Sequence, residues 1–304
     1  MRDLNKILIA IDNSKISDEV LRRGFLLAKG CNSRVVVLHI IESPLFDKPD
    51  YFGKSGKSVD LNQIKRDIDD RIQKIDNGSD VDYSIFVIQG DIADEIIYES
   101  KHQNAQMIVL GAHSKDDLSI KEFGTTALWV TQESHLPVLV VKNRVEGEYR
   151  NILAPTDLSE FSEKSILFSK NIFNKEYINT VYLYERTENL NIDFSNFAPE
   201  GESLIVDFYN ISVEDEELIN LKIRAYARRN LEVFEERINI SKGEIIESKT
   251  DINNDINTLL KENKNDLVIV GSHGTKNIKS FLFGSTASYL MKESRSDILV
   301  YVPK

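Results

Sequence analysis

Short unbroken apolar runs punctuate this chain, with amphipathic stretches between them. The first run, Lys6 to Ile11, ends at Asp12 and an Asn-Ser pair suited to opening a helix. Ile16 to Lys29 then places Val20, Leu21, Phe25 and Ala28 on one helical face, with Gly30 as the expected stop. Arg34 to Ile41 predicts a strand, with His39 near its end as a satisfied core residue, and residues 42–56 are rich in turn formers. Helices are expected over Val59–Ile75 and, opened by Asp91, over Ile92–His102. Strands are expected over Tyr83–Ile88 and over Met107–Leu110, the latter ending at Gly111. A helix follows Gly124, and Pro137–Val141 closes the series. Strand and helix alternate, which calls for parallel strands with helices on the faces. Continuous apolar strands fit a sheet covered on both sides.

The pattern restarts at Arg150. Asn151 to Asp157, NILAPTD, repeats the run that ends at Asp12, an offset of 157 − 12 = 145. Gly111 and Gly124 recur as Gly271 and Gly284, an offset of 271 − 111 = 160. The second copy therefore holds about 160 − 145 = 15 extra residues. They are expected between its second and third strands, in the polar stretch Arg186–Glu214, ahead of a long charged helix over Glu216–Ile238. The expectation is two copies of one α/β unit, residues 1–144 and 149–304, divided in the turn-like Asn143–Tyr149. Each copy would be a doubly wound, Rossmann-like domain, with a five-stranded, mostly parallel sheet and helices on both faces.

The chemistry concentrates near the end of each copy. Leu267–Val270 is apolar and runs into Gly271, Ser272, His273 and Gly274; nine residues later Gly284-Ser285-Thr286 opens a helical pattern. A buried strand ending in glycine before a helix with small hydroxyl residues suits a polyanion. Glycine lets the backbone approach and reach positive φ, and unpaired N–H groups at a helix start attract phosphate oxygens. The first copy reads Gly111-Ala-His-Ser114, then Gly124-Thr125-Thr126. Its connector, Lys115–Phe123, carries net charge 2 − 3 = −1, whereas Thr275–Phe283 carries Lys276 and Lys279 and no acid. The second copy is thus the stronger anion site. Asp157 either faces the ligand or caps the helix that follows.

Other motifs fall away. There is no G-x-x-x-x-G-K-[ST] and no G-x-S-x-G, and Ser272 beside His273 makes no triad. His113 and His273 would supply packing or a hydrogen bond at the loop mouth. Asp251–Asp255 has Ile256 where a calcium loop needs glycine, so Asp251 is better read as a helix cap. Cys31 and Trp129 are expected to pack inside.

The spacing G-x-x-G-x9-G-S, together with Leu153-Ala-Pro-Thr-Asp157, resembles the nucleotide-binding signature of the universal stress protein family. Both halves resemble such domains in tandem. The resemblance implies an adenine nucleotide alpha hydrolase-like fold, with ATP, ADP or AMP across the carboxyl ends of the first and fourth strands of a domain. By position, Pro155, Thr156 and Asp157 would line the base and ribose, and Val270 would neighbour the adenine. Gly271, His273, Gly274 and Gly284 would form the loop, with Ser285 and Thr286 on the phosphates. Asp12, Gly111, Gly124 and Thr125 would make a weaker second site. Mg2+ would accompany a triphosphate, with no protein metal ligand and no catalytic residue assigned. The function implied is that of a nucleotide sensor, non-catalytic or a very slow ATPase, with an unidentified protein partner. The resemblance also implies pairing of Pro137–Val141 with Asp297–Val302 into an internal pseudo-dimer, compatible with a further homodimer. The alternative is a nucleotide-free scaffold recruiting a protein or an apolar ligand.

Composition narrows the field. The net charge of −11 over 304 residues argues against nucleic acid and anionic membranes as partners. No apolar run approaches the roughly 20 residues of a membrane span, and the opening MRDLNKILIAID is too short and charged for a signal peptide. A single cysteine excludes a disulfide framework within the chain, and the expected location is cytoplasmic.

Overall fold

The computed structural model describes residues 4–14, 16–42, 60–75, 78–112, 124–185, 213–240, 243–272 and 284–302. In the first half, β1 (Lys6–Ile11), β2 (Arg34–Glu42), β3 (Tyr83–Gly90), β4 (Met107–Gly111) and β5 (Val138–Val141) form a parallel sheet in the order β3-β2-β1-β4-β5. The second half repeats that order with β6 (Ile152–Thr156), β7 (Ile178–Tyr184), β8 (Gly243–Glu247), β9 (Leu267–Gly271) and β10 (Asp297–Tyr301). β5 and β10 meet antiparallel, with Leu139 opposite Leu299, so the two parallel sheets fuse into one of ten strands. The expected pairing through the last strands is what joins the halves.

Eight α-helices lie between the described strands: α1 (Ile16–Cys31), α2 (Leu61–Gln73), α3 (Ile92–His102), α4 (Thr125–Glu133), α5 (Glu160–Ile172), α6 (Val213–Ile238), α7 (Ile252–Glu262) and α8 (Ser285–Glu293). Strand side chains alternate between faces. Ile7, Ile9, Val35 and Val37 therefore join one core with Phe25 of α1, Ile72 of α2, Ile166 of α5 and Phe234 of α6. Leu8, Val36, Ile108 and Val140 join the other with Ile96 of α3, Val130 of α4, Leu260 of α7 and Leu290 of α8. This division explains why the strands read as unbroken apolar runs. Both faces are covered, so neither has polar positions to spare.

Helix ends reveal a correction. Gly30 does not stop α1, which runs on to Cys31. The reversal comes at Asn32, with φ 55°, and Ser33 N–H donates to the Ala28 carbonyl at 2.8 Å. The same closure, with a left-handed residue after the helix and a bond spanning five residues, recurs at Asn104, Asn239 and Lys264. Such a closure needs positive φ one residue beyond the last apolar contact; Gly30 lies too early, and Asn tolerates that conformation. At the helix starts, Asp60, Asp91 and Asp251 each accept two backbone amides as N-caps, so Asp251 caps α7 as expected. The long charged helix begins at Val213, slightly earlier than Glu216.

The inserted residues fall where the repeat put them. Strand register matches His39 with Tyr182, an offset of 182 − 39 = 143, and Ile85 with Gly243, an offset of 243 − 85 = 158. The difference, 158 − 143 = 15, lies between the second and third strands. Most of that stretch, 186–212, is outside the described residues, as is the turn-rich 43–59.

Two interior expectations hold and one fails. Cys31 is buried, and His39 is buried with Nδ1 3.1 Å from the Ile11 carbonyl oxygen. Trp129, expected inside, is 50% exposed. The buried face of α4 is Ala127, Val130 and Thr131, and position 129 lies off that face at 100° per residue.

Candidate functional site

The first half has a cleft at the carboxyl ends of its first and fourth strands, beside the start of its last helix. That is where an open α/β sheet ordinarily takes its ligand. In the first half the cleft spans about 640 Å3, counting its open mouth. Asp12 and Ser17 stand on its rim beside Gly111 and Gly124, while Leu38, Ile40, Ile92 and Ile96 are among its apolar walls.

The glycines act through close approach. Gly124 N–H donates to the Ala112 carbonyl at 2.9 Å, and Gly284 N–H to the Ser272 carbonyl at 2.7 Å, so the last helix of each half is pinned onto its fourth strand. Both glycines have ordinary extended angles, φ −61° and −56°. Positive φ, expected of the glycines here, is not what these positions use; among described glycines only Gly147 has it. A side chain at Gly284 would instead meet the Ser272 carbonyl oxygen at 3.2 Å, tighter than ordinary contact.

What this close approach exposes is a helix start. Gly124 and Gly284 are the N-cap residues of α4 and α8, and neither helix has a side-chain cap or an acidic residue in its first turn. The contrast with Asp60, Asp91, Asp251 and Ser159, which all cap by side chain, is systematic. The first N–H groups of a helix lack partners within it, so these two ends are suited to an anion. Ser285 and Thr286, like Thr125 and Thr126, stand in that first turn.

The aspartates after the first strands are organised alike. Asp12 Oδ1 accepts from Ser14 N–H at 2.9 Å, from Ser17 Oγ at 2.6 Å, and from Ser14 Oγ. Asp157 Oδ1 accepts from Ser159 N–H at 3.1 Å, from Ser159 Oγ at 2.5 Å, and from Ser162 Oγ. Asp157 is therefore not the cap itself: Ser159 is the N-cap of α5, bonding Ser162 N–H at 3.2 Å, and Asp157 fixes Ser159. The four serines were not singled out from the sequence, although D-x-S-x-x-S stands in both repeats as Asp12–Ser17 and Asp157–Ser162.

The described expected residues of the second half stand at the carboxyl ends of β6 and β9 and at the start of α8. Register places Thr156 opposite Tyr182, and β6 lies beside β9, whose end carries Val270 and Gly271. Pro155 precedes Thr156 in β6, and the Thr156 hydroxyl accepts from Leu158 N–H at 2.9 Å. Leu158 takes φ 62°, a strained turn that carries the chain from strand to helix. Burial, with Tyr226 and Asp157 nearby, raises the Tyr182 hydroxyl above its ordinary range. His273, Gly274, both lysines of the 275–283 connector, and the 113–123 connector of the first half lie outside the described residues. Among described residues no three His, Cys, Asp or Glu side chains group to hold a metal, and no helix is long and apolar enough to cross a membrane.

Comparison with known proteins gives this geometry a family. The model of the universal stress protein family matches twice, over residues 4–142 and 148–302. Universal stress protein MJ0531 of Methanocaldococcus jannaschii is 27% identical over 138 residues, covering 45% of this chain and 81% of that protein. Stress response protein NhaX of Bacillus subtilis is 25% identical over 162 residues, 45% of this chain and 98% of that protein. The crystal structure of a universal stress protein from Archaeoglobus fulgidus superposes with a TM-score of 0.65 at 16% identity, covering 98% of each chain. Its likeness over the whole length carries the tandem fold. The chain belongs to the universal stress protein family, as two copies of its domain in one polypeptide.

Proposed function

We propose that this protein binds an adenine nucleotide at the carboxyl end of its second-half sheet and acts as a sensor rather than an efficient catalyst. The observation that carries the reading is the start of α8, where a glycine is the N-cap. Gly284 holds it 2.7 Å from the Ser272 carbonyl, with no side-chain cap and no first-turn acid. Phosphate oxygens would take the Ser285 and Thr286 amides and hydroxyls, Asp157 would accept from the ribose or base, and Pro155, Thr156 and Val270 would line the pocket. Gly271, His273 and Gly274 would complete the loop. Lys276 and Lys279 of the sequence favour a phosphorylated ligand in this half over the first, where Asp12, Gly111, Gly124 and Thr125 form the weaker site. The metal, Mg2+, would arrive bound to a triphosphate. Binding would bias the order of the loop and so a partner surface. Denaturing freshly purified protein and chromatographing the supernatant tests this, together with calorimetric titration of ATP, ADP and AMP. A nucleotide-free supernatant and no heat at saturating ligand would dismiss the reading.

A second reading, a scaffold that recruits a protein, is favoured by α6. Leu218, Leu221 and Val233 on that helix are 51%, 63% and 52% exposed. Under it, Leu221→Glu abolishes partner capture while nucleotide binding is untouched.

A further inference from the structure

We propose that Lys142, directly after the last strand of the first repeat, is a positioning residue for the anion-binding helix of the second. The inference rests on α8 being the phosphate cradle. Lys142 Nζ donates to the carbonyls of Met291 and Ser294, each at 2.7 Å, with the Leu290 carbonyl at 3.4 Å. Carbonyls in the last turn of a helix have no partners within it, and an ammonium there also complements the negative end of the helix dipole.

The rest of the turn is stitched to the same strand end. Lys142 N–H and Asn143 N–H donate to Asp297 Oδ1 at 2.8 and 3.0 Å, and Asn143 Nδ2 donates to the Arg295 carbonyl at 2.6 Å. α8 has nine residues, a rod of about 13 Å at 1.5 Å per residue. It is pinned at its start by its own strand, through Gly284 and Ser272, and at its end by the other repeat. A helix fixed at both ends holds its amides in place before a ligand arrives.

The repeat supplies an internal control. Val302 stands where Lys142 does, 302 − 142 = 160 residues on, and an apolar side chain cannot cap α4. Among the described residues the clamp therefore runs one way, from the first repeat to the cradle of the second.

The clamp also has a pH-sensitive charge. Burial lowers the Lys142 pKa to about 8, against the attraction of Asp297 on β10 and Glu293 at the end of α8. Arg23 of α1 and Tyr149 of the linker face the other carboxylate oxygen of Asp297. At neutral pH the ammonium is present; above the pKa its charge is lost from the end of α8.

The test uses the full chain as wild type, Lys142→Met and Lys142→Arg. Mg-ATP is titrated calorimetrically from pH 7.2 to 9.5, and rate-corrected hydrogen exchange of residues 285–296 is followed without ligand. Wild-type affinity is expected to fall roughly 3- to 10-fold across a step centred near pH 8. Lys142→Met should be weak and flat, and Lys142→Arg, which keeps its charge, tight and flat. Exchange in the last turn of α8 at pH 7.2 should quicken several-fold in Lys142→Met but not in Lys142→Arg. A Lys142→Met protein matching wild type in exchange, or keeping the pH step, overturns the inference. If no form takes ATP, the nucleotide reading falls and the exchange result alone decides the role of Lys142.

Discussion

The Tyr149 hydroxyl donates to Asp297 Oδ2 at 2.5 Å inside the protein, and the Arg23 guanidinium lies 3.6 Å from the centre of the same ring. Asp297 opens the last strand of the second half, Tyr149 belongs to the linker, and Arg23 to the first helix of the first half. Desolvation pushes the Asp297 carboxyl up and the Tyr149 hydroxyl well up. Donors from Tyr149, Lys142 and Asn143, with Arg23 beside them, act to keep Asp297 ionised. The β5–β10 seam thus has an apolar ladder and one buried charged knot.

Breaking that knot should be costly. Removing one partner of a buried ionic cluster leaves the others uncompensated, so Asp297→Ala is expected to lose about 3–5 kcal/mol in urea unfolding. Tyr149→Phe removes one hydrogen bond to a charged group and should lose about 1.5–3 kcal/mol. If Asp297→Ala unfolds at the wild-type midpoint, the seam does not depend on this cluster.

Lys142 should leave a signature in stability against pH. Its folded pKa, about 8, lies below the ordinary 10.5. Between those values the unfolded chain holds the extra proton, so stability from this group rises with pH; below about 8 both states are protonated and the burial cost is felt in full. The stability difference between wild type and Lys142→Met should move in favour of wild type by up to about 3 kcal/mol from pH 8 to pH 10.5. Urea unfolding of both proteins across that range checks the sign.

Gly284→Val should separate binding from folding. The added side chain crowds the Ser272 carbonyl, at about 1–3 kcal/mol for overpacking, and pushes the start of α8 off β9. ATP affinity is expected to drop more than about tenfold, since a charge-assisted bond contributes about 1.5 kcal/mol or more. Gly124→Val should leave it within twofold; equal losses from both would place the nucleotide in both halves.

The serine locks should differ in strength. Ser17 is buried and Asp157 is exposed, so Ser17→Ala should cost about 1.5–3 kcal/mol and Ser162→Ala less. Thermal unfolding of the two variants gives the comparison.

Trp129 offers a direct optical check. It is the one tryptophan of the chain, and at 50% exposure its emission should sit toward the red and be quenched readily by acrylamide. Trp129→Ala should change stability by about 0.5 kcal/mol or less, the ordinary range for a surface position.

The sequence by itself determined the repeat, the order of strands and helices, the caps at Asp91 and Asp251, and the glycines at the ends of β4 and β9. These are local: an apolar run, a capping side chain or a recurring spacing is legible without its partners. The tertiary structure decided the rest. Gly30 and Asn32 both suit a helix end, and only the extent of the packed face of α1 selects Asn32. Trp129 looks like core until the helix rotation set by Ala127 and Val130 turns it outward. Asp297 and Lys142 are 155 residues apart and look unremarkable in sequence. An antiparallel meeting of two parallel sheets gives them to each other, because register, not composition, decides which charges end up sharing one dry place.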